Sequence, residues 1–330
     1  MLRIGMIGLG SIAGAHLNAI AESQDFSLAA VCDINEQRAK EISGWMGVRV
    51  PYYLDYKEMC EKEDIDAVII NLPHFMHCEA SVFCLERGIH VLCEKPMANT
   101  VEECDRMIAA SQKNGAKLAI GHVHRFNEMD IAVKNMIDQG NLGKLIMVNQ
   151  MRNTFYFSEE RPRWFLDKKL SGGGIVMNLG AHALDKLCIL QGGEISDIQA
   201  YCGNVYKEYD VEGHAQIYLK VGEIPCSITL NGYETCLAND TIYLFTQGAI
   251  RITNGNKIEI CDKESGGVFR DFQITFQFPD LFVYQLSEFC KLIKGEKSIS
   301  PEGEYGRKIV AAIQEIYKKS NLSLESRPTK

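Results

Sequence analysis

The stretch Leu2-Arg3-Ile4-Gly5-Met6-Ile7-Gly8-Leu9-Gly10-Ser11-Ile12-Ala13, read with Ser27-Leu28-Ala29-Ala30-Val31-Cys32-Asp33, decides the fold. An apolar strand runs into two closely spaced glycines, a helical stretch follows, and a second apolar strand ends in an acid. Gly8 and Gly10 let the backbone turn sharply and approach a pyrophosphate, and the small Ala13 lets the next helix lie close against the strand. Ser11 and Ile12 open that helix, whose free N–H groups and positive dipole end favour anions. Asp33 stands about 20 residues beyond the turn, where a carboxylate accepts hydrogen bonds from an adenosine ribose. A lone G-x-G-x-x-[GA] is weak. Strand, turn, helix, strand and acid in this order predict a dinucleotide site.

Working outward, 330 residues exceed one comfortable core, so two domains are expected. Apolar runs at Ala67–Ile70, Ile89–Cys93 and Lys117–Ile120 alternate with helical stretches at Phe75–Arg87 and Val101–Asn114. Continuous apolar strands between amphipathic helices mean a doubly wound parallel sheet covered on both faces, here an N-terminal Rossmann domain over residues 1–121. After a helix over Met129–Gln139 and a long strand over Lys144–Asn153, residues 195–275 are nearly all strand with Gly, Asn and Asp turns. The second domain, 122–330, is therefore expected to be α+β with an open, largely antiparallel sheet, making the whole chain α/β. One-sided alternation, as in Ile242-Tyr243-Leu244-Phe245, leaves a face that invites a partner subunit in a homodimer or homotetramer. Helices over Leu281–Ile293 and Tyr305–Lys318 close the chain, the last a candidate to pack back on the first domain, and the tail from Ser320 is expected to be loosely held.

Bulk properties exclude several classes. Net charge is −8 and no basic block is present, so nucleic acid and anionic lipid are not expected partners. No apolar run approaches the ~20 residues of a membrane span, and the chain starts directly as a strand, so a cytoplasmic protein without a signal peptide is expected. None of the twelve cysteines is spaced C-x-x-C, which suits reduced, buried thiols. His122 and His124 have a ligand-like spacing, but no carboxylate or cysteine cluster completes a set, so no metal is expected.

In an open parallel sheet the ligand lies beyond the carboxyl ends of the strands. The residues there are Asn71, Leu72, Pro73 and His77 after one apolar run, Glu94, Lys95 and Pro96 after the next, and Arg125 in the segment from Gly121 after the third. Lys95 has two readings: a partly desolvated base beside a cationic nicotinamide, or a surface lysine paired with Glu94. In Ser171-Gly172-Gly173-Gly174-Ile175-Val176-Met177-Asn178-Leu179-Gly180-Ala181-His182-Ala183-Leu184-Asp185, three glycines lead into a helix. Asn178, His182 and Asp185 fall at i, i+4 and i+7, on one face, as a site or as a solvated stripe. The glycines indicate that something packs closely against that backbone. Between this segment and Asn153, Arg152, Tyr156, Arg163 and Trp164 offer hydrogen bonds and a flat face for a polyol or sugar ring, or, for Trp164 and Phe165, a means of pinning the loop to the core.

Taken together, Gly8-x-Gly10-x-x-Ala13 with His16, Pro73 with His77, Glu94-Lys95-Pro96, Gly121 with Arg125-Phe126, and Gly172-Gly173-Gly174 with Gly180-x-His182-x-x-Asp185 resemble the glucose-fructose oxidoreductase, inositol dehydrogenase and MocA family over nearly the whole chain. The resemblance implies a Rossmann domain, a second α/β domain whose open sheet serves oligomerisation, and NAD(P)-dependent oxidation or reduction at a carbon of a sugar, cyclitol or related alcohol. It implies that Lys95 touches the reacting hydroxyl and cofactor and that His182 is the acid–base group. The chain departs from the family's frequent aspartate at Asn178, and has Val123 in a region where an asparagine is frequent. An amide neither takes up nor releases a proton, so Asn178 is expected to orient substrate or His182. That departure keeps open a redox-neutral elimination through transient oxidation and, from another class, a non-catalytic NAD-binding sensor. Asp33 followed by Ile34 and Asn35 favours NAD over NADP, with Arg38 the nearest arginine.

Overall fold

The computed structural model describes residues 1–45, 47, 49–274 and 279–320. The chain divides into two compact units, Met1–Phe126 with Phe278–Val310, and Asn127–Gln277 with Ala311–Lys330. The expected end of the second strand region at Thr275 and the tail beyond Ser320 lie outside the described residues.

The first unit alternates strand and helix: β1 (Leu2–Ile7), α1 (Ala13–Glu22), β2 (Phe26–Cys32), α2 (Glu36–Ser43), β3 (Tyr52–Tyr53), α3 (Tyr56–Lys62), β4 (Ala67–Ile70), α4 (His74–Leu85), β5 (His90–Glu94), α5 (Val101–Asn114) and β6 (Leu118–Gly121). The strands pair in the order β3-β2-β1-β4-β5-β6, all parallel. Their unbroken apolar runs follow from burial on both sides. Ile4, Met6, Ala67 and Ile69 enter one apolar cluster, while Ile7, Val68 and Ile70 enter another, as the two-residue side-chain period of a strand requires. Local signals set the helix starts: Asn35 and Asp55 cap α2 and α3, and Thr100 with Glu103 forms a capping box on α5. Strand order reverses at β1, which lies between β2 and β4, so the crevice beyond the ends of β1 and β4 is the switch point of the sheet.

Among the described residues, the second unit contains α6 (Glu128–Gln139), β7 (Leu145–Asn153), α7 (Lys168–Ser171), a π-helical turn (Val176–Gly180), α8 (Ala181–Gln191) and seven further strands. These are β8 (Ile195–Gly203), β9 (His214–Val221), β10 (Ile224–Asn231), β11 (Ala238–Phe245), β12 (Gly248–Thr253), β13 (Lys257–Cys261) and β14 (Arg270–Phe272). The sheet order is β14-β13-β12-β11-β7-β10-β9-β8. β7, distant in sequence from its neighbours, is inserted antiparallel to β11 and parallel to β10, which among the described residues is the one parallel pair in an otherwise antiparallel sheet. One face buries Ile217, Leu219, Ile228, Leu230 and Tyr243; the other exposes Met147, Met151, Tyr201 and Tyr218. Two last helices follow: α9 (Leu281–Ile293), in the first unit with Phe289 stacked on Phe26, and α10 (Gly303–Lys319), which runs through the division between the units. Among the described residues, no helix is long and apolar enough to cross a membrane.

Charges are also buried in the second unit. Lys186 Nζ lies 2.8 Å from Asp130 Oδ1, with the two side chains 10% and 8% exposed. Burial raises the Asp130 carboxyl above its ordinary value against the pull of Lys186. Removing one partner of such a pair strands the other charge in a low-dielectric interior. Lys186→Met should therefore lower stability in urea by about 3–5 kcal/mol, and Lys186→Met with Asp130→Leu should regain a large part of it. A single variant as stable as the native chain would show that the pair contributes nothing.

Candidate active site

At the switch point, Gly8 has φ +87° and a Cβ there would lie 2.8 Å from the Asn71 carbonyl oxygen. Only glycine fits, because the backbone leaving β4 crosses directly over the turn leaving β1. Gly10 differs: a Cβ on it would meet no atom within 4 Å, so the space in front of it is open. Gly10, Ser11 and Ile12 are exposed, and no side chain caps α1, which also has no acid in its first turn. The Asp33 carboxylate accepts from Leu9 N and Asn35 N, each at 2.8 Å, and Arg38 Nε donates to Leu9 O at 3.1 Å. Asp33 thus ties the end of β2 to the glycine turn while keeping lone pairs for ribose hydroxyls. Asn71 Oδ1 is buried with no hydrogen-bond partner, its amide nitrogen 3.4 Å from Gly8 O. An open glycine turn, an uncapped helix start and an orphaned acceptor at one strand edge fit a dinucleotide.

Several residues expected at the cofactor edge make contacts that hold that edge in shape. His77 is fully buried on α4, with Nδ1 2.9 Å from Pro96 O and Nε2 2.7 Å from Leu72 O. It latches the loop after β4 to the loop after β5, its ring packed between them and its one N–H donating to one of the two carbonyls. Burial holds the ring below its ordinary pKa, against the pull of the two carbonyls. Glu94, at the end of β5, lies 2.9 Å from His16 Nε2 and accepts from Lys95 N at 3.2 Å. Burial pushes Glu94 up, but His16 and Lys95 bring it below its ordinary value. A Cβ on Gly121 would lie 3.0 Å from Glu94 Oε1, which accounts for that glycine. The Glu94 carboxylate therefore turns towards α1 and the backbone, supporting Lys95 from behind. Lys95 is half-buried at the strand end, and the Lys95–Pro96 peptide is cis. Pro73 begins α4, which has no side-chain cap. Arg125 donates from Nη1 to Ile299 O at 3.2 Å and lies over the Tyr305 ring at 4.4 Å, so it is engaged by the 279–310 segment.

In the second unit, Arg152 is half-buried at the end of β7, where burial lowers its pKa to about 10 against the attraction of Asp130. Tyr156 is fully buried, its hydroxyl donating to Phe165 O at 3.3 Å and its ring under the Arg161 guanidinium at 4.3 Å. It packs beneath the loop that carries Arg161 and Phe165. Trp164 stacks on Phe165 with centroids 3.7 Å apart and stays half-buried, while Arg163 is exposed. Asn178 is half-buried in the π-helical turn; His182, 9% exposed, and Asp185, fully buried, lie in α8, which is buried almost all round. The three therefore do not form a single regular helical stripe or a solvated edge, because the π-turn changes the helical register between Asn178 and α8. The closely packed neighbours that the glycines announced are Glu212 and Tyr317: a Cβ on Gly174 would lie 2.1 Å from Glu212 O, and one on Gly173 1.9 Å from Tyr317 Oη. Neither residue was a sequence candidate, and the glycine run was the only signal of them.

The first unit is thus that of a dinucleotide-binding α/β protein. Residues 2–122 match the model of the oxidoreductase family with an NAD-binding Rossmann fold, and residues 131–248 match that of the GFO/IDH/MocA C-terminal domain; the chain belongs to the GFO/IDH/MocA family. It is 30% identical over 233 residues to a 1-carboxy-3-chloro-3,4-dihydroxycyclohexa-1,5-diene dehydrogenase of Comamonas testosteroni, a match covering 70% of this chain and 58% of that one. It is 34% identical over 150 residues to an inositol 2-dehydrogenase of Salmonella typhimurium, covering 45% of each chain. The chain thus spans about half the length of these curated relatives. The fold is shared with an aldose-aldose oxidoreductase of Caulobacter crescentus solved with glycerol, at a TM-score of 0.87, 24% identity and 97% of both chains.

The latch at His77 carries a measurable consequence. His77→Ala removes the ring between the two loops and the one N–H that bonds a carbonyl there, at a cost of about 1–3 kcal/mol for a buried acceptor left unmade. Thermal unfolding should show that loss, together with weaker NADH binding, since both loops of the cofactor edge are released. Unchanged melting would deny the latch.

Proposed function

We propose that this chain is an NAD-dependent oxidoreductase acting between a secondary hydroxyl and the corresponding ketone of a sugar, cyclitol or related polyol. The observation that carries this reading is the switch-point edge of the first unit. There an open glycine turn, the uncapped start of α1, Asp33 and Asn71 fit a dinucleotide, and Lys95 stands half-buried at the end of β5, the strand next to β4. Gly8, Gly10, Ser11, Ile12, Asp33, Asn71, Leu72 and Pro73 are the proposed cofactor contacts. When bound, NAD supplies the hydride acceptor. Oxidation of an alcohol also releases the hydroxyl proton, and Lys95 and His182 are the groups proposed to handle it. Asn178 offers a hydrogen-bond donor and acceptor to the substrate but no titrating proton. Arg152 and Trp164 suit a hydroxylated ring, one with charged donors and the other with a flat apolar face. Asp33 supports NAD over NADP, since its carboxylate repels a 2′-phosphate and Arg38 Nε is already spent on Leu9 O. The exposed sheet face with Met147, Met151, Tyr201 and Tyr218 is the proposed subunit contact.

The test is a panel of cyclitols, aldoses and sugar acids incubated with NAD, read by reduced-cofactor absorbance and by product analysis. Lys95→Met should leave NADH binding intact and lower turnover by about 10²–10⁴-fold; His182→Ala should do the same without a drop in melting temperature. Unchanged turnover removes either residue from the chemistry. NADPH bound tenfold more tightly than NADH would refute the cofactor choice. Asn178, an amide in place of the family's frequent acid, favours a second reading in which oxidation is transient. A product formed without net NADH would establish that reading, and no product with any substrate would favour a sensor.

A further inference from the structure

Four consecutive N–H groups at the start of the π-helical turn find their acceptors in two distant residues. Gly174 N donates to both carboxylate oxygens of Glu212 at 2.9 Å, Ile175 N to the Glu212 backbone oxygen at 3.1 Å, and Val176 N to Glu212 Oε1 at 2.9 Å. Met177 N donates to Tyr317 Oη at 3.1 Å, and the Tyr317 hydroxyl donates in turn to Glu212 Oε1 at 2.8 Å. The next N–H, that of Asn178, makes the first bond inside the helix, to Gly174 O at 3.1 Å. These first N–H groups are the ones an isolated helix leaves unsatisfied. Here one side chain and one backbone carbonyl, joined by one tyrosine hydroxyl, take all four.

We infer that Glu212, assisted by Tyr317, is a positioning residue that fixes the location and rotation of Asn178 and His182. Glu212 holds Gly174; Gly174 O anchors Asn178; His182 follows one turn later. The carboxylate is 2% exposed and receives only donors, so it serves as an acceptor at both oxygens, and the positive end of the helix favours its charge. Burial raises its pKa, opposed by the bonds from Gly174, Tyr317 and Val176. The fit admits no larger residue at the point of contact, since a Cβ on Gly174 would stand 2.1 Å from Glu212 O. The start of this helix is consequently filled by the protein's own carboxylate and is no anion site. Glu212→Gln keeps the size but replaces one acceptor with an NH₂ group facing the Gly174 N–H, which pushes the turn away. Tyr317→Phe leaves Glu212 in place and removes the acceptor for Met177 N.

The catalytic meaning of this clamp rests on the function proposed above; the clamp itself is testable without a substrate. The full chain labelled with ¹⁵N-histidine is titrated by NMR, with His182 identified among the eight histidines by its loss in His182→Asn. Glu212→Gln should move the His182 ring signals and their titration midpoint while leaving those of His16 and His77 in place, and Tyr317→Phe should do so more weakly. Folded variants whose His182 signals superimpose on the native ones overturn the proposal. Should Glu212→Gln fail to fold, Tyr317→Phe decides the matter alone. With the substrate found in the panel, a displaced turn should lower kcat on the order of 10- to 100-fold and leave KM for NAD within about twofold. Unchanged kcat overturns the positioning role. A panel without turnover refutes the proposed function and leaves the NMR result to judge the clamp.

Discussion

The N–H groups at the start of a helix need acceptors, and two helices of this chain meet that need in opposite ways. At α1 no side chain intervenes, Ala13 N and Ala15 N bond only backbone carbonyls of the turn, Gly10 faces open space and Ser11 and Ile12 are exposed, so the positive dipole end remains open to an anionic ligand. At the π-helical turn of the second unit, Glu212 and Tyr317 consume every donor from Gly174 to Met177. The first arrangement makes a place for a cofactor, the second a rigid seat for Asn178 and His182.

Glycines mark both places for different physical reasons. Gly8 is required by a positive φ and by the Asn71 backbone 2.8 Å from where its Cβ would be, whereas Gly10 has room for a side chain and leaves that room open. Gly173 and Gly174 do not have the positive φ of Gly8 and are glycine because Tyr317 and Glu212 press on them. A pattern of small residues therefore encodes a backbone turn, an open approach and a close packing contact within one chain.

Much of this was legible in the residues. The strand edges, the glycine turn with Asp33, the helices and the antiparallel second sheet follow from period, turn chemistry and apolar runs, all local signals. Less legible was the division of labour among the polar residues at an edge. His77 and Glu94 stand where cofactor contacts are expected, yet their partners are Leu72, Pro96 and His16, chosen by neighbouring loops. Tyr156 has the composition of a sugar contact and the surroundings of a core residue. The even spacing of Asn178, His182 and Asp185 presumed a regular helix, which the π-turn interrupts.

By itself, the sequence determined the family, the dinucleotide turn and the position of Lys95 at a strand end, because apolar runs, turn glycines and helix starts are local signals in the chain. The tertiary structure decided that β7 enters the second sheet between β10 and β11, which atoms Glu94 and His77 hold, and that Glu212 and Tyr317 grip a turn 38 and 140 residues away. A glycine announces that something must come close. Only the folded chain, by bringing distant segments into van der Waals contact, says what it is.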